Sequence, residues 1–187
     1  MYELDKHTPY RHARYQFTPL PLIQRGLAYH EAGHTVLGQL VGSTCERSRI
    51  HTISRGGVTG WTGATTWARS FGTYLDVAVV CGASGQAADL HQLAESGRLT
   101  PETARLCAAD HDKQMALSIL TAEGVPVTES GPAPYGGLAW DHVMATAQQR
   151  VDREWDRITA VAEALLAAPD FTLTGTQAAH IAGITTA

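Results

Sequence analysis

The sequence is poor in cysteine and has only a small excess of negative charge. Its three cysteines, Cys45, Cys81 and Cys107, are odd in number and widely spaced with no C-x-x-C pair, which argues against a disulfide framework and against a thiolate zinc site. We expect buried free thiols. The formal net charge is −4, and no basic stripe is present, so we expect neither a nucleic acid nor an anionic membrane as partner.

Long apolar runs are absent as well. No stretch reaches the roughly 18 apolar residues that a membrane span needs, and the N-terminus shows no apolar signal region. We therefore expect a cytoplasmic protein. The sequence also lacks a G-x-x-x-x-G-K-[ST] phosphate-binding loop, so we expect no ATPase activity of its own.

The size of the chain favours one domain. Its 187 residues are 44% hydrophobic and 17% charged, enough for one sizeable core and too few for two comfortable domains. Residues 1–17 mix polar and aromatic side chains without a clear period, which predicts an N-terminal arm. Residues 18–187 are predicted to form the single domain.

The most informative stretch is residues 29–34, Tyr-His-Glu-Ala-Gly-His. His30 and His34 are four residues apart, so on a helix both imidazoles project from one face and can bind a single Zn²⁺. Glu31 lies about 100° round the helix from His30. Its carboxylate is thus beside the metal without being a ligand, where it can take a proton from activated water. The H-E-x-x-H pattern is typical of zinc hydrolases.

This motif lies in an apolar helical run from about Leu22 to Val41, which Gly42 is predicted to end. Gly33 stands in the interior of that helix, where glycine is about 1 kcal/mol less favourable than alanine. We therefore expect another backbone or a substrate to approach the helix closely at Gly33.

The remaining patterns predict a mainly α fold with a small β-hairpin or sheet. Residues 49–67 carry β-branched and aromatic residues on either side of a glycine turn. In this hairpin Val58–Thr66 is predicted to be an edge strand. The strand either pairs with an extended peptide or has only a structural role, as a sheet edge that glycine and threonine protect. The other predicted elements are a core helix Tyr74–Leu93, one or two helices over Thr100–Glu123, a loop Val127–Gly137, a long helix Leu138–Ala168 and a short helix from Thr174 to Ile181.

A zinc ion bound by two histidines needs a third protein ligand, which leaves one position open for water and substrate. The candidates are Asp89, Asp110, His111, Asp112 and Glu123. Asp110 and Asp112 are two apart on a helix and point about 200° away from each other, so only one of them can face the metal. Spacing does not decide among the five.

Several segments, in the same order along the chain, resemble the peptidase domain of FtsH-type ATP-dependent zinc proteases. Residues 27–38 resemble the signature helix of that family. Residues 50–56 resemble its strand and Pro-Arg-Gly turn, with Ser54 in place of proline. Residues 84–89 resemble its Gly-Gly-Arg-Ala-Ala-Glu helix, with glutamine for arginine. The tail, residues 160–166 and 172–175, resembles its closing helix and Thr-Leu-x-Gly turn.

One further segment bears on the third ligand. Residues 108–116 resemble the family's Gly-Ala-x-Asn-Asp-Leu-x-x-Ala segment, whose aspartate binds zinc and matches Asp112. The resemblance thus implies a zincin-like helical metallopeptidase domain with His30, His34 and Asp112 as zinc ligands. His111 replaces the family's asparagine and is the rival ligand. Family members carry membrane spans and an AAA+ ATPase, and we expect this peptidase domain to stand alone.

The residues and the resemblance together predict a zinc metallopeptidase that hydrolyses peptides or unfolded polypeptide, with Glu31 as general base. The resemblance implies a ring-shaped homo-oligomer or a separate ATPase as partner. One alternative keeps the zinc but acts on a small molecule, as an amidase or tailoring hydrolase. The other is a peptidase-fold binding module that docks a partner through the Val58–Thr66 edge.

Overall fold

Helices dominate the computed structural model, which describes residues 20–55, 58–68, 72–107 and 109–185. The predicted mainly α fold with a small sheet is confirmed, whereas the predicted arm, residues 1–17, lies outside the described ranges. The α-helices are α1 Leu20–Leu40, α2 Tyr74–Val77, α3 Ser84–Glu95, α4 Pro101–Leu106, α5 Asp110–Ala122, α6 Trp140–Arg153, α7 Trp155–Ala167 and α8 Gly175–Ile181. A π-helical segment, Ala78–Ala83, joins α2 to α3.

The strands form two small sheets. A three-stranded antiparallel sheet has the order β2-β1-β5, and β3 pairs with β4 in parallel across the ends of the predicted loop. Among the described residues β2 lies at the edge of its sheet, as predicted for residues 58–66. The strands are β1 Cys45–Arg55, β2 Val58–Trp67, β3 Val127–Thr128, β4 Leu138–Ala139 and β5 Thr172–Thr174.

Helix α1 is the centre of the fold. It packs against α3 and α7 on one side and against β1 and β2 on the other, so residues 27–39 are all buried. The helix agrees with the predicted run within two residues at each end. Gly42 follows it with φ of +83°, a left-handed conformation that glycine adopts without strain and that ends the helix. A helix enclosed in this way holds its side chains rigidly.

The predicted core helix Tyr74–Leu93 is not a continuous α-helix. Between α2 and α3 the chain contains the π-helical segment, where the Ser84 N–H donates to the Val79 carbonyl, five residues back. One extra residue is thus accommodated in the turn. Further along, Thr100–Glu123 forms two helices, and Thr100 begins the first of them by accepting a hydrogen bond from the Thr103 N–H at 3.2 Å.

The predicted single helix Leu138–Ala168 is wrong. Its first two residues belong to β4, and the rest is divided into α6 and α7 at Glu154, whose ψ of 16° departs from helical geometry. The buried apolar stripe continues across the break, since Val151 and Ile158 are both fully buried. Hydrophobic periodicity alone therefore gave no sign of the interruption.

The three cysteines differ in exposure. Cys45 and Cys81 are buried, and burial raises the pKa of each to about 12, whereas Cys107 is only partly buried. A thiol of pKa 12 is about one part in 10⁴ thiolate at pH 8, and the thiolate is the reactive form.

We expect an aromatic disulfide reagent at pH 8 to modify about one thiol per native chain quickly and all three in denaturant. Cys107→Ser should abolish the fast phase, and fast reaction of either remaining thiol in that variant would contradict the assignment.

Candidate metal centre

Two histidines of one helix and an aspartate that is distant in sequence converge in the interior. His30 and His34 of α1 and Asp112 in the first turn of α5 form a group of potential metal ligands, with both histidines buried. The His30 Nε2 atom lies 3.1 Å from the His34 Nε2 atom and 2.9 Å from the Asp112 Oδ2 atom. The Asp112 Oδ2 atom lies 3.6 Å from the His34 Nε2 atom. All three donor atoms therefore face one point.

These separations fit a tetrahedral metal ion. Two ligands bound at about 2.0–2.1 Å to a tetrahedral ion lie about 3.3 Å apart. The three observed distances of 2.9, 3.1 and 3.6 Å bracket that value. Two imidazole nitrogens and one carboxylate oxygen are also a donor set that binds divalent transition metals. The group can hold a metal ion with a fourth position left open.

The ring of His30 is oriented by a partner on α3. Its Nδ1 atom lies 2.9 Å from the Asp89 Oδ2 atom, so Nδ1 donates a proton to that carboxylate, and the neutral ring would present its Nε2 lone pair to a metal ion in the cluster. Gly85 leaves the space that this ring occupies, because a β-carbon at that position would overlap the imidazole. Asp89 was a candidate ligand in the sequence; here it fixes a ligand instead.

The ring of His34 is oriented by the π-helical segment. Its Nδ1 atom lies 2.5 Å from the Val80 carbonyl oxygen and 3.1 Å from the Ser84 Oγ atom. The Val80 carbonyl is not bonded to the Ser84 N–H, its partner in a regular α-helix, because that N–H donates to Val79. It accepts instead from the Ser84 hydroxyl at 2.8 Å and from His34. The Nε2 lone pair of His34 is thereby directed at the cluster.

Asp112 is the acidic member of the cluster. Burial would raise the pKa of this carboxyl, but with no metal bound and the rings protonated, the hydrogen bond and positive charge of His30, followed by those of His34, outweigh burial and hold the pKa well below its usual range. Asp112 is therefore a carboxylate at neutral pH. Asp110, two residues earlier, is exposed, in keeping with the opposite directions expected for these two side chains.

The other two candidate ligands are not part of this group. His111 is partly buried, and its buried Nε2 atom has no hydrogen-bond partner among the described residues. Glu123 is exposed just after the end of α5. Of the five candidates, the structure thus brings Asp112 to the histidines as the third member.

Glu31, the predicted general base, follows His30 on α1 and is buried against β2. Its Oε2 atom accepts a hydrogen bond from the Thr65 hydroxyl at 2.8 Å. It is not a member of the ligand group, and its predicted role as general base stays a prediction. Neither Thr65 nor Ser84 was singled out from the sequence, because an isolated hydroxyl residue carries no motif.

The close approach predicted at Gly33 is confirmed. A β-carbon there would lie 2.8 Å from the Ser84 carbonyl oxygen and 2.9 Å from the Ala88 β-carbon, both shorter than real β-carbon contacts. The absence of a side chain lets α3 pack directly on α1. This contact brings Ser84 and Asp89 within reach of the two histidines.

Comparison with known proteins does not name this site. No protein-family model matches the chain, and no curated protein matches it significantly. Within the described ranges, no helix combines the length and the apolar character needed to cross a membrane. What the cluster does must therefore be inferred from its own geometry.

Removing the Ser84 hydroxyl should weaken metal binding without removing a ligand. We expect Ser84→Ala to lower the affinity for Zn²⁺, used as probe ion, by about tenfold, because outer partners of metal-bound histidines typically contribute 10–100-fold. Competition with a chromophoric chelator would measure the change. Ser118→Ala is the matched control, since the exposed Ser118 hydroxyl on α5 bonds the Gln114 carbonyl four residues back in the same way. Equal affinities of the two variants would contradict the expectation.

Proposed function

We propose that this protein is a zinc-dependent metallopeptidase that hydrolyses peptide bonds of peptides or unfolded polypeptide. The observation that carries the proposal is the convergence of the His30 Nε2, His34 Nε2 and Asp112 Oδ2 atoms within 3.6 Å of one another. A buried carboxylate, Glu31, adjoins the first of these ligands in the chain. The proposal includes a zincin-like fold akin to the FtsH-type peptidase domain, as the sequence resemblance implies.

Zinc is the metal that this donor set suits best. Calcium and magnesium favour all-oxygen sites, whereas two histidines and one carboxylate are a frequent ligand set of catalytic zinc. Three protein ligands leave one position for water or substrate, while structural zinc sites are closed by four. The buried, hydrogen-bonded rings of His30 and His34 also favour a fixed coordination geometry.

The proposed mechanism is metal-assisted hydrolysis. When bound, zinc would polarise the scissile carbonyl and lower the pKa of water toward about 7. His30, His34 and Asp112 hold the ion. Glu31 takes the proton from the attacking water and delivers it to the leaving amine, as a general base that then acts as a general acid. Its enclosure between α1 and β2 keeps the carboxylate shielded from bulk water.

The edge strand β2 supports a peptide as substrate. Its outer side has no neighbouring strand among the described residues, and an extended peptide can add to such an edge through main-chain hydrogen bonds. Gly63 of β2 lies against the Glu31 carboxylate, so a peptide paired with this strand would pass close to the general base. Recognition through the backbone would favour extended, unfolded segments over folded proteins.

Cleavage of an unfolded protein tests the proposal directly. The zinc-loaded protein should digest casein, a metal chelator should stop the reaction, and added zinc should restore it. Mass spectrometry of the fragments should show internal peptide bonds cut. Binding of about one zinc per chain without cleavage of casein or peptides would overturn the peptidase proposal, and a panel of small amides would then show whether the substrate is a small molecule.

A further inference from the structure

A cluster of buried hydroxyl groups surrounds Glu31 where α1 packs against β1 and β2. Thr35, Ser48 and Thr65 are each at most 2% exposed, and Glu31 is 4% exposed. The Thr35 hydroxyl donates to the Glu31 main-chain carbonyl at 2.7 Å. The Thr65 Oγ1 atom lies 3.4 Å from both the Thr35 Oγ1 atom and the Ser48 Oγ atom. Three buried hydroxyl groups thus lie together beside one buried carboxylate.

The shortest contact of Thr65 is with the Glu31 side chain. Its hydroxyl lies 2.8 Å from the Oε2 atom and 3.4 Å from the Glu31 carbonyl oxygen. A hydroxyl has one proton to donate, and a carboxylate is the strongest acceptor within reach. The Thr65 hydroxyl therefore donates to the Oε2 atom, which leaves the Oε1 atom without this hydrogen bond.

Gly63 supplies the space for that second oxygen. A β-carbon at this position would overlap the Glu31 Oε1 atom and would lie 2.6 Å from its carboxyl carbon. Gly63 and Thr65 are two residues apart on β2, so they present the same face of the strand to α1. One accommodates the carboxylate and the other bonds it, which restricts Glu31 to a single orientation.

We propose that Thr65 is a positioning residue for the general base: its hydroxyl bonds one oxygen of Glu31 and aims the other at the reacting water. This inference rests on the proposed function. Thr65 touches no reacting atom and acts only through Glu31. The strand proposed to pair with the substrate also holds the Glu31 carboxylate, so β2 would position the substrate and the general base relative to each other. Misplacing a catalytic group by about 1 Å can lower the rate roughly 100-fold.

Three substitutions test the proposal through turnover. Thr65→Val keeps the shape and removes the hydroxyl, Thr65→Ser keeps the hydroxyl, and Thr52→Val makes the same change at an exposed threonine of β1. We expect Thr65→Val to lower kcat on a fluorogenic peptide by about 10–100-fold with KM unchanged. Thr65→Ser should stay within about threefold of wild type, and so should Thr52→Val. Zinc affinity, measured by chelator competition, should be the same in all three.

Two results would overturn the inference. One is a Thr65→Val variant whose kcat equals that of Thr52→Val, and the other is a loss of kcat matched by a loss of zinc. If Thr65→Val does not fold, Thr65→Ala takes its place, because the smaller side chain leaves room for water beside the carboxylate. Rescue by serine then remains the deciding comparison.

A double-mutant cycle tests the contact without any turnover. Thr65→Val should lower the denaturation midpoint of zinc-free protein more in the wild-type background than in Glu31→Ala. In the Glu31→Ala background the hydrogen bond is already absent, so the second substitution cannot remove it again. Additive shifts would overturn the contact. If wild type cleaves nothing while the cycle shows coupling, the peptidase proposal fails and the bond to Glu31 stands. If wild type cleaves peptides while the shifts are additive, the peptidase proposal stands and the bond to Glu31 fails.

Discussion

Glu31→Gln is expected to lower kcat/KM on a peptide substrate by about 10²–10⁴-fold, the usual contribution of a general base, while zinc binding stays at the wild-type level. Glutamine keeps the size of the side chain and an oxygen that can accept from Thr65, but it cannot take a proton from water. Glu31 lies outside the ligand group, so the ion should keep all its ligands. Turnover and elemental analysis on the same samples measure both quantities.

The matched control for that variant is Glu46→Gln. Glu46 is an exposed residue on β1, so its loss changes the net charge equally and touches nothing in the interior. Its activity should equal that of wild type. A Glu31→Gln variant that cleaves at more than a tenth of the wild-type rate would contradict the assignment of the base. A variant that loses zinc would show instead that Glu31 supports the metal.

Asp112→Ala is expected to abolish stable zinc binding. The substitution removes one of three protein ligands, so the loss of affinity should exceed the roughly 10–100-fold attributed to outer partners. After dialysis, wild type should retain about one zinc per chain and Asp112→Ala close to none. Peptide cleavage should be lost together with the metal, and excess zinc should restore it only in part.

Two neighbours of Asp112 serve as controls on the same helix. Asp110→Ala removes an exposed carboxylate two residues away, and His111→Ala removes the rival ligand that the sequence left open. Both variants should retain zinc, since neither side chain belongs to the ligand group. Loss of zinc from His111→Ala but not from Asp112→Ala would reverse the assignment of the third ligand.

Local spacing predicted the parts of the site that lie on one helix. His30 and His34 are four apart, and Gly33 lies between them, so the paired rings and the close helix contact could both be read from the sequence. Asp112 could not be chosen in this way, because it meets His30 across 82 residues and five acidic or histidine candidates remained. Only the family resemblance distinguished it, and the structure brings it to the two histidines.

The groups that hold the site were missed for a different reason. His34 is oriented by the main-chain carbonyl of Val80, and a carbonyl is present at every residue, so no residue type signals that role. Thr65 is one of several threonines on a strand, and only the packing of β2 on α1 selects it. The π-helical segment escaped notice because its six residues are all buried, which leaves no polar face from which to read a period.

Because of that π-helical segment, the geometry of the metal centre depends on the number of residues between Ala78 and Ala83. Its extra residue sets the rotation of everything that follows it on α3, including Ser84 and Asp89. Deleting one residue between Ala78 and Ala83 would favour a regular α-helix and turn those two side chains by about 100° away from the histidines. Evolution can therefore exchange one small apolar residue for another in this segment, but an alignment of related sequences should show no gap there.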